Sequence, residues 1–499
     1  MNELHGAGSP DDDERGTPAS IVTAAMELGG VMADAIGPCG TGCMFGSPPC
    51  MTADGATIAR RHPISHPAAH MLKQLAQSQT RRMGDGVKTA LLLAAALVET
   101  GSASLQAGAN PAQLARELHM AAAAATDAIR SHRKSLQDLE DPLLDRVAVT
   151  AARGDETIAD LVVSTARAMR ADRIINDEAF SLAEHITASP DVSDRMVKGL
   201  MIAGQRFSPN MPQSVHDAEL LLIDDALDVE AVPERLLHTE AGFERYQHLQ
   251  EQFEENVRKL IHLGVNAVLI TGDMCGKAAQ MLTDAGVFAA ANVRPEELWR
   301  IARLLGTAPI GRRGLQKSLS ELRAVIGRHN RITADPASET IHIEIRNGEQ
   351  TATALIGGPT GAVVDERRLL ARTCAASIQA ALRDGICPGG GAAALRAIPE
   401  LQKLREDATA DTPGITCMAE ALSAPAVAIG RNAGYEPEVA VDATTSAAQT
   451  GAVGINPAIG EIVDMAQLNI FDAASVTIAA IDAAAQVAAR ILRTTRLYE

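Results

Sequence analysis

Apolar residues recur every three or four positions over much of this chain, which is the spacing of one face of an α-helix. The first such stretch predicts a helix over 18–36 with Ser20 as its cap. Its apolar positions are Ile21, Ala24, Ala25, Leu28, Val31 and Met32. The same spacing predicts a helix-rich region to about residue 190 and mostly helical structure in about the last hundred residues.

The middle of the chain follows a different pattern. Residues 265–270 and 287–293 are short apolar runs typical of buried strands, and a helical pattern follows each of them. The second of these helices opens at Pro295, where proline is tolerated because it lies in the first turn. The alternation predicts a β-α-β-α unit with two parallel strands.

Two further strand patterns lie at 340–345 and 351–356. The dipeptide Asn347-Gly348 between them is a strong signal for a tight turn. The sequence therefore predicts a β-hairpin at this place.

A long helical pattern over 239–263 precedes the alternating unit. Its apolar residues fall at three- and four-residue steps: Phe243, Tyr246, Leu249, Phe253, Val257 and Leu260. Two interpretations are open. The stripe packs on the core of its own domain, or it is offered to a partner.

Composition narrows the class of protein. The 499 residues are enough for about two to four domains, and 46% of them are apolar but only 2% aromatic. The formal net charge of −17 argues against nucleic acid or an anionic membrane surface as the main partner. The longest wholly apolar run, Ala90 to Val98, is shorter than the roughly 18–20 residues of a bilayer span.

The N-terminal segment and the cysteines indicate a cytoplasmic protein. Residues 1–19 are polar and acidic without the apolar core of a signal peptide, and they predict a disordered tail. Seven cysteines in such a chain indicate reduced thiols. Cys39, Cys43 and Cys50 are either a thiolate metal site or unconnected thiols, and no fourth residue has the spacing of a ligand.

The first candidate for chemistry is Asp85, which stands between Gly84 and Gly86 directly before an apolar helix. Such a loop presents free backbone N–H groups to an anion, and the aspartate can hold a divalent cation against it. The alternative is a glycine-rich turn in which Asp85 caps the helix. Lys88 and Thr89 do not make this a P-loop, because the upstream glycine spacing is missing.

Three further loops carry glycine or aspartate. They are GPCG at 37–40, DGAT at 54–57 and PGGGA at 388–392. Three adjacent glycines before a helix indicate close approach of the backbone to a ligand or to another helix.

The order of these loops resembles that of the chaperonins, most closely the group II branch of archaeal thermosomes and their eukaryotic cytosolic relatives. GPxG, DGAT, HPAA, GDGxxTA, a central α/β insert, PGGGA, NAG and GIN follow one another from about residue 20 to the C-terminus. The resemblance implies a multidomain α+β and α/β chaperonin fold. Its parts would be a mainly helical equatorial domain at 20–145 and 384–499, a small intermediate domain at 146–194 and 339–383, and an α/β apical domain at 195–338 with a helical protrusion at about 238–264.

The resemblance also implies a site for ATP and Mg²⁺. Asp85 matches the aspartate that holds Mg²⁺, and Asp54 matches a catalytic carboxylate near the γ-phosphate and the attacking water. Positions beside the nucleotide are matched by Gly37, Pro38, Gly40, Gly86, Lys88, Thr89, Gly389, Gly390, Gly391 and Asp472. Converging loops and separated carboxylates suit phosphoryl transfer, which needs mainly positioning and charge neutralisation.

The chain departs from the family pattern at the site. Thr373 stands where family members carry an aspartate that orients or deprotonates the water, and losing such a group typically costs on the order of 10²–10⁴ in rate. Val87 and Lys88 replace two of three threonines, so Lys88 either adds charge to the phosphates or fills the pocket. Cys39 and Cys43 replace lysines. These changes predict ATP binding with impaired hydrolysis.

A second departure concerns assembly into rings. The connection that forms a β stem-loop between subunits is shorter here and contains Pro48 and Pro49, which cannot donate ladder hydrogen bonds. Only 491–498 still has a terminal strand pattern. We therefore expect a weakened intersubunit sheet and an altered assembly. The implied partners are copies of the chain or related chaperonin subunits and unfolded client proteins; the alternative is a chaperonin-derived scaffold that does not cycle nucleotide.

Overall fold

The structure is a computed structural model that describes residues 18–46, 50–233, 235, 238–345, 350–408, 411–436, 439, 453–456 and 461–494. The chain divides into two compact units. Unit 1 comprises 1–167, 171–184 and 365–499, and unit 2 comprises 168–170 and 185–364.

Helices dominate the first third of the chain and the last. In chain order the elements are α1 (Pro18–Ala35), β1 (Cys43–Phe45), β2 (Cys50–Thr52), α2 (Gly55–Arg61), α3 (Pro67–Met83), α4 (Val87–Gln106), α5 (Pro111–His132), α6 (Pro142–Ala151), α7 (Glu156–Arg167), α8 (Ala171–Asn176), a 3₁₀ turn (Leu182–His185), β3 (Ile186–Ala188), β4 (Arg195–Lys198), β5 (Leu200–Ala203), β6 (Ser214–Ile223), α9 (Glu240–His262), β7 (Ala267–Ile270), α10 (Gly276–Asp284), β8 (Phe288–Ala290), α11 (Pro295–Leu305), a second 3₁₀ turn (Arg312–Gln316), α12 (Leu319–Ala324), β9 (Gly327–Asp335), β10 (Thr340–Ile345), β11 (Ala352–Ile356), α13 (Gly361–Asp384), β12 (Ile386–Pro388), α14 (Ala392–Glu406), α15 (Pro413–Ala421), α16 (Ala424–Asn432), β13 (Val453–Asn456), β14 (Glu461–Asp464), β15 (Phe471–Ala473) and α17 (Ala474–Leu492).

Unit 1 is built around α4, whose apolar residues are buried on most sides against α1, α15 and α17. Most of the contact is made by alanine and leucine, so the helices approach closely without large aromatic side chains. The predicted first helix is confirmed as α1. Ser20 is not its cap, because Ser20 lies inside the helix.

Among the residues of unit 1 that the structure describes, two helices are long and apolar enough to cross a membrane by length and composition: α4 and α17. In each, 61% of the apolar window is buried inside the fold. Both helices contribute to the same helical core, which accounts for their composition.

Unit 2 contains a six-stranded sheet in the order β5-β10-β9-β6-β7-β8 and a three-stranded sheet in the order β3-β11-β4. Strands β6, β7 and β8 are parallel to one another, and α10 connects β7 to β8. Alternate residues of β7 pack on opposite faces, with Leu269 in one apolar cluster and Val268 and Ile270 in another. The predicted β-α-β-α unit is confirmed.

The predicted hairpin at 340–356 is wrong. Strand β10 pairs with β9 and β5, whereas β11 pairs with β3 and β4 in the other sheet. All residues of β11 are buried, so this strand requires a neighbour on each edge. The observed turn follows Asp335, whose carboxylate accepts hydrogen bonds from Ala337 N–H and Ser338 Oγ. Asn347-Gly348 lies outside the described residues.

Each of the two interpretations of the apolar stripe on α9 fits one half of the helix. Phe253, Val257 and Leu260, in its C-terminal half, are buried in the core of unit 2. In its N-terminal half Phe243 is 51% exposed. One half of the helix is therefore a core helix, and the other offers an aromatic side chain to the outside.

The β stem-loop is present as a short antiparallel hairpin of β1 and β2. Met44 and Met51 lie opposite each other in it and are 70% and 65% exposed. Pro48 and Pro49 lie outside the described residues, as do 1–17. The terminal strand pattern is wrong for its first two residues, because Ile491 and Leu492 end α17.

Adjacent glycines on α1 provide a matched test of the packing of α1 on α4. A Cβ at Gly29 would lie 2.5 Å from Cβ of Ala95, whereas one at Gly30 would meet nothing within 4 Å. We expect Gly29→Ala to lower the free energy of unfolding by about 1–3 kcal/mol, because the helices must separate. We expect Gly30→Ala to raise it by up to about 1 kcal/mol, because alanine favours the helix. Urea unfolding measures both, and equal effects would contradict the packing.

Candidate functional site

A cavity of about 380 Å³ opens inside unit 1, and the ends of several helices surround it. It is lined by most of the residues that the sequence singles out, which come from segments far apart in the chain: Gly37, Pro38, Asp54, Asp85, Gly86, Lys88, Thr89, Thr373, Gly390, Gly391 and Asp472. Gly40 and Gly389 are predicted site residues that do not line it. Gly40 N–H donates to Gly37 O. Gly389 lies beside Asp472, since a Cβ at Gly389 would be 3.2 Å from Oδ1 of Asp472.

The corner between α3 and α4 carries Asp85. Gly84 and Gly86 on either side have φ of +69° and +78°, a left-handed conformation that glycine adopts without strain. Asp85 Oδ1 accepts from Gly86 N–H at 2.6 Å, and Oδ2 accepts from Ser377 Oγ at 2.5 Å. The N-cap of α4 is Gly86, so the alternative in which Asp85 caps the helix is wrong.

The GPCG loop is fastened at the C-terminal end of α1, where helix carbonyls lack partners within the helix. Asn432, from the NAG motif, donates through Nδ2 to Ala33 O at 2.7 Å and Ile36 O at 2.9 Å. Gly37 then turns the chain with φ of +79°. The NAG motif thus holds the first loop in place.

Asp54 is the N-cap of α2, and its Oδ2 accepts from Thr57 N–H at 2.7 Å. The residues before it are held from two sides. Glu366 accepts from Ala53 N–H at 2.9 Å and from a neighbouring threonine hydroxyl, and Arg153 donates to Ala53 O at 2.9 Å. This clamp fixes where the Asp54 carboxylate stands.

Lys88 extends from the first turn of α4 along the cavity wall. Its Nζ donates to Ala35 O at 2.7 Å, at the end of α1. Burial, together with the charge of Arg153, lowers the pKa of Lys88 to about 7, while the carboxylates of Asp85 and Asp54 oppose the shift. The side chain leaves the cavity open, so it does not fill the pocket.

The PGGGA loop and Asp472 are joined by the pairing of β12 with β15, in which Cys387 stands opposite Asp472. Gly390 and Gly391 have φ of +63° and +83°. Burial and the charge of Asp85 raise the pKa of Asp472 to about 7, and a hydrogen bond from the Gly390 backbone opposes this. The charge of Asp85 thus acts on the pKa of both Lys88 and Asp472.

Helix α13 presents one face to the site. Glu366, Thr373 and Ser377 are spaced by seven and four residues, which places them on the same side of a helix. Thr373 lines the cavity, so the position of the expected aspartate carries a hydroxyl.

Sequence reasoning missed Arg153, Glu366 and Ser377. The helical spacing on α13 was a signal for the latter two. Arg153 has φ of +54°, and nothing in the local sequence pattern identified it as a site residue.

Cys39, Cys43 and Cys50 are free thiols. Within the described part of the chain no group of three or more metal-ligating side chains could hold a metal ion.

The cavity thus lies at converging helix ends and is lined by three acidic side chains, Asp54, Asp85 and Asp472, and by the basic side chains of Lys88 and Arg153. The TCP-1/cpn60 chaperonin family matches residues 28–497 of the chain. The chain belongs to this family, as predicted from the order of its loops, and is a protein-folding chaperonin.

Relatives and a solved structure agree with this membership. Thermosome subunit 1 of Haloferax volcanii is 26% identical, covering 95% of this chain and 87% of its own. A thermosome subunit of Pyrococcus abyssi is 27% identical over 89% of this chain and 83% of its own. The crystal structure of a group III chaperonin in the open state is similar with a TM-score of 0.81 and 31% identity, covering 96% of this chain and 98% of that one. The chaperonin fold is thereby confirmed.

The pKa of Asp472 leads to a prediction about stability. Because the pKa in the fold lies above the usual 3.8, the stability present at low pH is lost as the pH rises towards about 7. We expect Asp472→Asn to be more stable than wild type by on the order of 1 kcal/mol at about pH 8, with the difference shrinking towards about pH 5. Urea unfolding across this range, without nucleotide and with a chelator, measures it. A difference independent of pH would contradict the raised pKa.

Proposed function

We propose that the chain binds Mg²⁺-ATP in the cavity of unit 1 and uses it in a chaperonin cycle. The observation that carries the proposal is the convergence of the GPCG, DGAT, GDG and PGGGA loops on one cavity. Left-handed glycines let these loops pack closely on neighbouring elements: a Cβ at Gly391 would meet Ala426 at 3.1 Å, and one at Gly86 would meet Val476 at 2.7 Å. Both glycines also line the cavity, where a residue without a side chain allows a ligand to approach the backbone.

The proposed roles follow from the chemistry of each group. Asp85 supplies carboxylate oxygens, the ligands that Mg²⁺ prefers, and Ser377 orients that carboxylate. Gly37, Pro38, Gly40, Gly86 and Thr89 would lie beside the phosphates, and Gly389, Gly390, Gly391 and Asp472 beside the nucleoside. When bound, Mg²⁺ supplies charge neutralisation on the phosphate oxygens.

Hydrolysis is proposed to be slow. Asp54 is the carboxylate available near the proposed terminal phosphate, and its position is set by the Glu366 and Arg153 clamp. Thr373 cannot take a proton from water near neutral pH, because a hydroxyl is not a base there. The site would thus bind ATP well and turn it over poorly.

Client binding is proposed for the central part of the chain. The division proposed is an equatorial domain at 20–145 and 384–499, an intermediate domain at 146–194 and 339–383, and an apical domain at 195–338 with its protrusion at about 238–264. Exposed Phe243 gives the N-terminal half of α9 an apolar side chain suited to unfolded protein or to another protrusion.

Assembly with copies of the chain or with related subunits is proposed through the β1–β2 hairpin. A two-stranded hairpin has edges that can accept another strand, and Met44 and Met51 add exposed apolar surface beside those edges. The hairpin is short, so we propose a weaker intersubunit sheet and an altered ring. The proposed location is the cytoplasm.

The first test is nucleotide binding. We expect wild type to bind a fluorescent ATP analogue with Mg²⁺, and Asp85→Asn to bind at least about 10-fold more weakly, because a charged ligand to the cation is lost. Asp160→Asn, which changes an exposed aspartate on α7, is the matched control and should bind as wild type does. Equal binding by all three would refute the proposed role of Asp85.

Native mass with and without Mg²⁺-ATP tests assembly in the same preparations. We expect the mass of an assembly of many subunits, and we expect ATP to stabilise that assembly. A monomer indifferent to ATP would contradict the ring and favour a scaffold that does not cycle nucleotide.

The second test concerns turnover. Thr373→Asp places a carboxylate on the cavity face of α13, and we expect it to raise the rate of ATP hydrolysis at least about 10-fold. Thr373→Asn is the matched control, because it has a similar shape without a base. Steady-state phosphate release measures both. An unchanged rate in Thr373→Asp, with ATP binding intact, would show that Thr373 does not limit turnover.

A further inference from the structure

Two cations stand at one end of the cavity without a carboxylate partner. Lys88 Nζ donates to Ala35 O at 2.7 Å and Arg153 donates to Ala53 O at 2.9 Å, both of which are backbone carbonyls. Among the described residues no carboxylate oxygen lies within 4.0 Å of either cationic nitrogen. A partly buried cation that makes no ion pair gains from direct contact with an anion, so this end of the cavity offers a place for an anionic group.

The nearby carboxylates are occupied by other donors. Glu366 accepts from Ala53 N–H, Asp54 accepts from the N-terminus of α2, and Asp85 accepts from Gly86 and Ser377. These hydrogen bonds hold the negative groups in place beside the cations. A direct ion pair for Lys88 is thus left to come from a ligand.

The side chain of Lys88 is fixed along its length. A Cβ on Gly55 would lie only 2.7 Å from Cγ of Lys88. Nζ of Lys88 donates to a carbonyl at the C-terminal, negative end of the α1 dipole. An ammonium has three N–H donors, and the bond to Ala35 orients it. A group held in this way contacts a phosphate without first losing side-chain freedom.

Lys88 also lies at a definite end of the cavity. Lys88 and Arg153 donate to the segments at Ala35 and Ala53, whereas Asp472 lies on β15 beside the PGGGA loop. The cations and Asp472 therefore line different parts of the cavity. On the proposed function, the nucleoside lies at the Asp472 end and the phosphates extend past Asp85.

We propose that Lys88 recognises the terminal phosphate and makes the site selective for nucleoside triphosphate over diphosphate. This inference rests on the proposed function and deepens it. A diphosphate placed with its nucleoside at Asp472 ends nearer Asp85 and leaves the ammonium on Ala35 without an anion. A triphosphate supplies that anion.

The test compares two ligands in matched variants. Calorimetry measures the dissociation constants of Mg²⁺-ADP and of a non-hydrolysable Mg²⁺-ATP analogue for wild type, Lys88→Met, Lys88→Arg and Lys73→Met. Lys73 is the matched control, because its ammonium also rests on two backbone carbonyls, His62 O and Ile64 O, but it does not line the cavity.

We expect Lys88→Met to weaken binding of the triphosphate about 10–100-fold and of ADP less than about 3-fold, the loss expected for one hydrogen bond to a charged group. Lys88→Arg should retain part of the preference, and Lys73→Met should retain all of it. Thermal unfolding checks the fold of each variant, and Lys88→Thr replaces Lys88→Met if the latter does not fold.

Three outcomes would overturn the inference. Equal weakening of both ligands would mean that Lys88 acts on a shared phosphate or on the fold, and unchanged constants would mean that it does not touch the ligand. In both results wild type still binds ATP, so the proposed function stands. If wild type binds neither ligand, the proposed function fails, and the role of Lys88 fails with it.

Discussion

The site depends on helix ends meeting at short range, and this is possible only where side chains are absent. Gly37, Gly84, Gly86, Gly390 and Gly391 all take left-handed conformations at the ends of helices around one cavity. A Cβ at any of them would lie within 3.2 Å of a neighbouring residue. The core of unit 1 is rich in alanine for the same reason, because helices that pack closely need small side chains at their contacts. Both the helix packing and the geometry of the site therefore depend on residues with small side chains or none.

Helix α13 connects the polar parts of this arrangement. Glu366 holds the turn before Asp54, Ser377 holds Asp85, and Thr373 faces the cavity between them. A shift of this one helix would move both carboxylates together, because each is hydrogen-bonded to it or to the segment it holds. The two acidic groups are therefore positioned by a common element and not independently.

Sequence reasoning succeeded where neighbouring residues decide the structure and failed where distant ones do. The β-α-β-α unit depends on local periodicity, and it was predicted with its parallel strands. The dipeptide Asn347-Gly348 is also a local signal for a turn, but β11 pairs with β3 and β4, so the hairpin prediction was wrong. Asn432 reaches Ala33 across 399 residues, and no pattern within either segment encodes that contact. Glu366 and Ser377 were detectable only by combining helical spacing with the position of Thr373.

The separation of the site's segments along the chain also affects how the protein folds during its synthesis. Apart from 168–170, unit 2 is one continuous stretch, 185–364, which a ribosome delivers whole before α17 exists. Until α17 arrives, α4 lacks a helix that packs against it, since a Cβ at Gly101 would touch Leu492. During that interval the apolar side of α4 is open to other proteins. A newly made chain thus exposes, until its last helix is complete, apolar surface that the finished fold buries.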